Sequence, residues 1–415
     1  MNPYYSGIGI GRALHGKKVA VYALTSERDA PGAKSRYFAG AYDVPNGRDA
    51  PQQLCERLIE LREGRIQRPV LFPTRDLDVL FLHDYRELLS RHYILPQPDG
   101  TSILRMMDKL ELANVATKIQ IPVPQTSSCA SSAELQALLP DMKFPVIIKP
   151  RFAYQWRRKG VWDAVGAQKA IIVESAEKLQ TEYERLAQFT QEVLLQEYIA
   201  GDDRDIVVCG VYIDQAGHVQ GHFTGRKLRQ NPPLVGTGSI VEACEVDAIV
   251  APSTALLKAF GYAGLAEIEY KLDKNNGKYR LIEINPRHWD QHELGNLVGV
   301  NLTWIAYQDL VGMTATKVTP NYGGAPTFRW IAETELLQAI VTNLYLQLRS
   351  LRNSKTRTRD YFRAVGRTIQ DLAGLLRGKK VCGVLSLRDP VPSVLLCSRL
   401  LRNAFSFVGR RLRSA

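Results

Sequence analysis

Three polar side chains stand at alternate positions of the apolar run YRLIEINPRHW at 279–289: Glu283, Asn285 and Arg287. Tyr279, Leu281, Ile282 and Ile284 carry the aromatic and β-branched bias of a strand, in which residues i, i+2 and i+4 project to one face. That face therefore collects a carboxylate, an amide and a cation. A carboxylate turned inward without a partner costs several kcal/mol, so the face meets either solvent, as in an ordinary wet edge strand, or an ion. A neighbouring segment favours the ion. The stretch GLAEIEYKLD at 264–273 alternates Leu265, Glu267, Glu269 and Lys271 against Ala266, Ile268, Tyr270 and Leu272, and KNNG at 274–277 is a hairpin turn. Antiparallel pairing brings Glu269 close to Glu283 and Asn285. Adjacent carboxylates repel unless a cation lies between them, and oxygen-only donors suit Mg2+, which keeps water and phosphate oxygens in its other positions. The pattern is that of a strand pair holding magnesium for a nucleotide.

Composition narrows the classes around such a site. A chain of 415 residues with 45% hydrophobic and 23% charged residues reads as a soluble globular protein of two or three domains. No run of eighteen apolar residues is present, and the N-terminus lacks the charged-then-apolar order of a signal peptide, which points to a cytoplasmic setting. The six cysteines are scattered without CxxC spacing, against both a zinc site and a disulfide framework. His218 with His222, and His288 with His292, read as surface or internally satisfied residues rather than ligand pairs. The net charge of +12 is confined to the tail: from Arg349 onward there are sixteen Lys or Arg against three Asp, which leaves the rest close to neutral. No nucleic-acid-binding motif accompanies that tail, so nucleic acid is not an expected partner.

The elements that must position the site follow from periodicity. KKVAVYAL at 17–24 reads as a strand, 49–65 as an amphipathic helix, and 68–89 as a strand followed by a helix; such alternation implies a parallel α/β layer over residues 1–100. The glycines of SGIGIGRALHG at 6–16 are spaced as a phosphate-cradling turn before a helix. The strand that ought to precede them is nearly absent, which suggests that the layer's first strand is missing or that the start is misassigned. From 101 a helix carrying Lys109, the strand FPVIIKP ending in Lys149, a further strand and helix, and a meander of strands give an α+β unit. After about 315 the pattern turns helical, and the last stretch interleaves Val394, Leu395, Leu400, Leu401, Phe405 and Val408 with arginines. Such a helix either lies on an anionic membrane surface or docks on the protein's own body.

Lys109, Lys149, LLQEYIAG at 194–201, Glu269 and LIEINPR occur in the order and approximate spacing of the ATP-grasp superfamily, which this chain resembles over residues 100–315. GKKVCGVLSLRDPVPSV at 378–394 and GRKLRQNPPLVGTGSIVE at 225–242 are similar to a branch of predicted carboxylate-amine ligases or ATP-dependent carboligases. The resemblance implies an ATP-grasp domain at 101–318, with a smaller lobe to about 193 and a larger one after it, a pre-ATP-grasp α/β domain at 1–100 and a helical basic region at 319–415. It implies ATP with one or two Mg2+ as cofactors. Lys109 and Lys149 are then expected on the α- and β-phosphates, and Gln196, Glu197, Tyr198 and Ile199 at the adenine hinge, with Glu197 accepting from the exocyclic amine. Asp205 is expected on the ribose, and Glu269, Glu283 and Asn285 on the metal.

Arg287 is expected on the transferred phosphoryl group. Arg226, Lys227 and Arg229 are expected on a loop whose Gly236 and Gly238 let backbone approach an anion. The loop after Lys149 departs from the family's glycine-rich form and offers Arg157, Arg158 and Lys159 instead. The activity implied is phosphorylation of a carboxylate to an acylphosphate that an amine then attacks. A bicarbonate-activating carboligase and a non-catalytic nucleotide-binding partner on the membrane are the alternatives. The acid, the amine and the oligomeric state stay open.

Overall fold

The computed structural model of the chain describes residues 1–27, 30–63, 67–96, 100–158, 160–190, 192–323, 327–338, 340, 366 and 378–413. Helix α1, Tyr5–Leu14, precedes a short parallel pair, β1 (Tyr22–Thr25) with β2 (Gly40–Asp43). Helices α2 (Pro51–Arg62) and α3 (Asp76–Asp84) follow, and Val70 bridges Ile94 in parallel. The expected α/β alternation is present but thin, and the strand expected from 17 is regular only from Tyr22. The glycine-rich stretch is not a phosphate-cradling turn: Gly7, Gly9 and Gly11 lie inside α1. Close packing accounts for at least one of them, since a Cβ on Gly9 would stand 2.5 Å from His292 Nε2.

The expected single helix over 102–120 is two, Gly100–Met107 and Lys109–Lys118. Asp108 breaks it by capping the second: its Oδ1 accepts from the backbone N–H of Leu110 and Glu111 at 3.0 and 3.2 Å. A four-stranded antiparallel sheet follows, in the order β3 (Thr126–Cys129), β6 (Val193–Glu197), β4 (Val146–Lys149) and β5 (Ile171–Val173). The helix Ala176–Ala187 lays Leu179, Tyr183 and Leu186 into this sheet's core, the i, i+4, i+7 stripe expected of an amphipathic helix.

A seven-stranded sheet forms the larger layer. Its order is β11 (Lys278–Asn285), β10 (Gly264–Asp273), β7 (Ile206–Ile213), β8 (Val219–Asn231), β9 (Thr237–Ala243), β12 (Phe328–Ile331) and β13 (Lys379–Cys382). Every residue of β7 is buried, as its unbroken apolar run requires of a strand covered on both faces. The β10–β11 hairpin closes through the expected KNNG turn, where Asp273 Oδ1 accepts from Asn275 N–H and Gly277 adopts φ +70°.

The C-terminal region is not purely helical: β12 and β13 extend the large sheet beyond the boundary expected at 318. Most of the helical stretch expected from Thr334 onward lies outside the described residues. The final helix, Pro390–Arg413, is present, and Leu396 on its inner face is buried in a core shared with Trp330, Val384 and Tyr5.

Candidate active site

The two sheets and the N-terminal segment enclose a cavity of about 350 Å3. Into it project Lys109, Lys149, Gln196, Lys227, Glu269, Glu283, Asn285 and Arg287, with Gly236 and Gly238 in its wall. Residues from Lys109 to Arg287 thus converge on one space.

Local structure explains each placement. Lys109 opens a helix whose cap, Asp108, is pinned by Arg151 Nε at 2.8 Å, and its Nζ lies 3.1 Å from Glu283 Oε1. Lys149 ends β4, where its buried Nζ donates to Gln196 Oε1 on neighbouring β6 at 2.8 Å. On the large sheet Glu269 stands directly opposite Glu283, and Glu267 opposite Asn285, so the hairpin register gathers all four polar residues. Lys227, fully buried on β8, lies 2.6 Å from Glu269 Oε2. Arg287 is held by three acceptors: Asp76 Oδ1 at 2.6 Å from α3, Asn285 Oδ1 at 2.9 Å and the His288 carbonyl at 3.0 Å.

These neighbours set the charge states. Burial, aided by Lys109, pulls the Lys149 ammonium down to about 7, and burial with Arg157 pulls Lys169 down to about 8. Burial pushes Glu283 upward, but Lys109, Lys169 and Lys149 outweigh it and hold the carboxyl well below its usual range. Glu267 goes the other way. Burial and the charge of Glu269 raise it to about 8, while Asn285 Nδ2 donates to it at 3.0 Å and Gln291 Nε2 also donates. Lys227 stays charged because Glu269, 2.6 Å away, outweighs its burial, and Asp76 stays ionised because Arg287 outweighs its own.

The donor set fits a hard divalent cation. Glu269 and Glu283 offer oxygen on facing strands, Asn285 adds an amide oxygen, and each carboxylate already attracts an ammonium group. Among the described residues no three His, Cys, Asp or Glu form a metal cluster by themselves, so other oxygens would complete the shell. His288 and His292 are no ligand pair: both are buried, burial holds His292 down to about 4, and both contact Thr303 Oγ1.

Several expected placements change. Glu197 does not face an adenine amine with its side chain, because Arg280 of β11 grips both its oxygens at 2.6 and 2.7 Å. Tyr198 and Ile199 are expected at the adenine hinge through backbone groups; the Tyr198 ring sits 5.2 Å from Lys271 Nζ, Ile199 is buried, and the side chain of this segment that lines the cavity is Gln196. Asp205, expected on the ribose, accepts from Asp202 N–H at 2.8 Å and pairs with Lys274 at 2.7 Å; it does not line the cavity, although the next residue, Ile206, does. The expected loop at 225–242 is the strand pair β8–β9. Strand alternation therefore sends Lys227 inward and Arg226 to the other face, where Arg226 donates to the Arg204 carbonyl at 3.2 Å. Arg229 is buried outside the cavity lining. Arg157 lines the cavity, and Lys159 lies outside the described residues.

Sequence reasoning missed Glu267, Lys169, Asp76 and Asp290 as cavity residues. Alternation from Glu269 pointed at Glu267; nothing local marked the other three.

Residues 108–314 match the family described as carbamoyl-phosphate synthase L chain, ATP binding domain. Over 323 residues, 75% of each chain, the sequence is 26% identical to a D-aspartate ligase of Enterococcus faecium. The fold is similar to the biotin carboxylase domain of Hydrogenobacter thermophilus 2-oxoglutarate carboxylase, a complex with MgADP and bicarbonate, at TM-score 0.60 and 18% identity over 75% of this chain and 68% of that one. It is equally similar to an ADP complex of the N5-carboxyaminoimidazole ribonucleotide synthetase PurK, at TM-score 0.60 and 14% identity over 82% and 83% of the two chains.

Proposed function

The chain belongs to the ATP-grasp superfamily of ATP-dependent ligases, and from that premise we propose that it phosphorylates an organic carboxylate and joins the acyl group to an amine. The observation that carries this reading is the convergence of Lys109, Lys149, Glu269, Glu283, Asn285 and Arg287 on one cavity. Phosphoryl transfer asks a protein chiefly for positioning and for cations placed where negative charge spreads. Lys109 and Lys149 would hold the phosphates as point charges. Glu269, Glu283 and Asn285 would hold Mg2+, which neutralises the phosphate oxygens when bound.

A carboxylate oxygen of the substrate attacks the γ-phosphorus, the bond to the bridging oxygen breaks, and ADP leaves. Arg287, fixed by Asp76 and Asn285, stands ready to stabilise the transferred group without reorganising. The amine nitrogen then attacks the acyl carbon, phosphate departs, and the amine gives up a proton. Asp290 lines the same cavity and accepts from Ser6 Oγ at 2.7 Å, with no cation in ion-pair distance among the described residues. We assign it the role of receiving the amine and its proton. The reaction would run in the cytoplasm, where ATP is supplied.

The test is ATP-dependent hydroxamate formation from pooled carboxylates with Mg2+ and hydroxylamine, which traps acylphosphates without an enzymic base. The expected result is trapping by the natural chain, its loss by at least about a hundredfold in Glu283→Ala, and its retention in Asp290→Asn, which loses only amide formation. Turnover supported by bicarbonate alone would move the reading to carboxyphosphate chemistry. ATP binding with no pool promoting hydrolysis would favour the non-catalytic alternative.

A further inference from the structure

We infer that residues 385–402 form a surface that seats the chain on an anionic lipid bilayer. The inference stands apart from the catalytic reading. Among the described residues ten large apolar side chains are exposed, and five of them, Leu385, Leu387, Val391, Val394 and Leu395, fall within eleven positions. Leu387, on the loop before the final helix, is 101% exposed, and Val394 is 63% exposed. Clustering of this kind, unlike scattered surface apolar residues, marks an interaction site.

Helical spacing separates two apolar faces. Pro392 and Leu396, four apart, turn inward, and Leu396 and Leu400 pack on the core of the large sheet. Val391, Val394 and Leu395, at i, i+3 and i+4, turn outward beside the Leu385–Leu387 loop. Of the expected stripe, Val394 and Leu395 face outward, Leu400 belongs to the inward face, and the side chains of Leu401, Phe405 and Val408 lie outside the described residues. The same segment carries exposed Arg388, Arg399 and Arg402, of which Arg399 lies 3.6 Å from Glu27 Oε2, and exposed Lys379 and Lys380 stand on the preceding strand β13. From 378 to 402 the single acid is Asp389, which is buried and accepts from the Ser35 hydroxyl and the Arg36 N–H.

Charge and shape choose the occupant. A second copy would oppose two cationic segments. An acidic protein would need a cavity shaped to the protruding Leu387, whereas a fluid bilayer yields around a protrusion and offers negative headgroups to the cations. No helix of the described residues is long and apolar enough to cross a membrane, so the chain would lie on the surface.

The experiment is cosedimentation of the full chain with vesicles of phosphatidylcholine alone or mixed with phosphatidylglycerol, for the natural chain and for Leu387→Glu/Val394→Glu. Expected are binding to the mixed vesicles that weakens with salt, little binding to phosphatidylcholine, and roughly tenfold weaker partition in the variant. The thermal shift produced by MgADP, unchanged in the variant, certifies its fold. Absence of binding at low salt, or equal binding by natural chain and variant, overturns the inference. A lipid-free dimer that the variant dissolves overturns it in favour of a second copy.

Discussion

Glu267 decides how the cavity is charged, because it is the carboxyl there that burial and a like-charged neighbour keep protonated up to about 8. An unfolded chain releases that proton near about 4.3, so between the two values the folded state binds more protons and stability falls as pH rises. The contribution is fully present below the unfolded value and is lost as pH climbs through the folded one. Glu267→Gln removes the titration while keeping an amide beside Asn285 and Gln291. Thermal melts of the nucleotide-free chain should therefore show the variant gaining on the natural chain from pH 5 to 8. A difference that stays constant over that range would disprove the assignment. At this scale the sequence was legible wherever alternation governs: Glu283 and Asn285 share a face because strands have period two, whereas β11 ends at Asn285 and Arg287 reaches the cavity from the turn beyond it, held by Asp76 and Asn285. It was silent where the partner is distant, as with Asp76, 211 residues before the Arg287 it holds.

Elements bring those residues together, and α1 does so by an unusual choice of residue. Three glycines inside one helix should each cost about 1 kcal/mol against alanine. Gly9→Ala would recover that amount in an isolated helix. Here its Cβ would stand 2.5 Å from His292 Nε2 and 2.9 Å from Glu293 Cγ, both on buried residues. Overpacking at such a contact costs about 1–3 kcal/mol, so the substitution should lower the melting temperature. Because Ser6 precedes Gly9 in α1 and meets Asp290, it should also raise the KM for the amine. A melting temperature that rises instead would mean that α1 shifts freely. The same scale shows why glycine spacing misled: a phosphate turn and a close-packed helix both need residues without Cβ, and only the neighbouring chain tells them apart. Glu197 carries a parallel lesson. Of its segment Gln196 lines the cavity, but Arg280, 83 residues later, takes the Glu197 carboxylate for a contact between the two sheets.

Over the whole molecule the two ends of the chain are built into each other. Tyr5 Oη donates to Glu335 at 2.8 Å, Arg12 donates to the Cys382 and Val384 carbonyls and to Glu293, and Asp389 receives Ser35 and Arg36. Reading in windows along the sequence could mark 319–415 as basic and helical, yet it could not find β12 and β13, whose pairing partners are fixed only when the large sheet assembles. Two kinds of contact hold the final helix: the polar anchor at Asp389 and the apolar one at Leu396. Asp389→Ala leaves a hydroxyl and an N–H without their acceptor, at about 1–3 kcal/mol. A global melt would register little of this, because the cavity and both large sheets stay intact. Local opening should register it instead: trypsin should cut at Arg388 and Arg399 several-fold faster than in the natural chain. The MgADP thermal shift should be unchanged. If cleavage does not quicken, Leu396 and its neighbours hold the helix without the carboxylate. If the nucleotide shift falls as well, the tail supports the cavity through Arg12, Glu293 and α1, and the C-terminal region is then part of the active site's frame rather than an attachment to it.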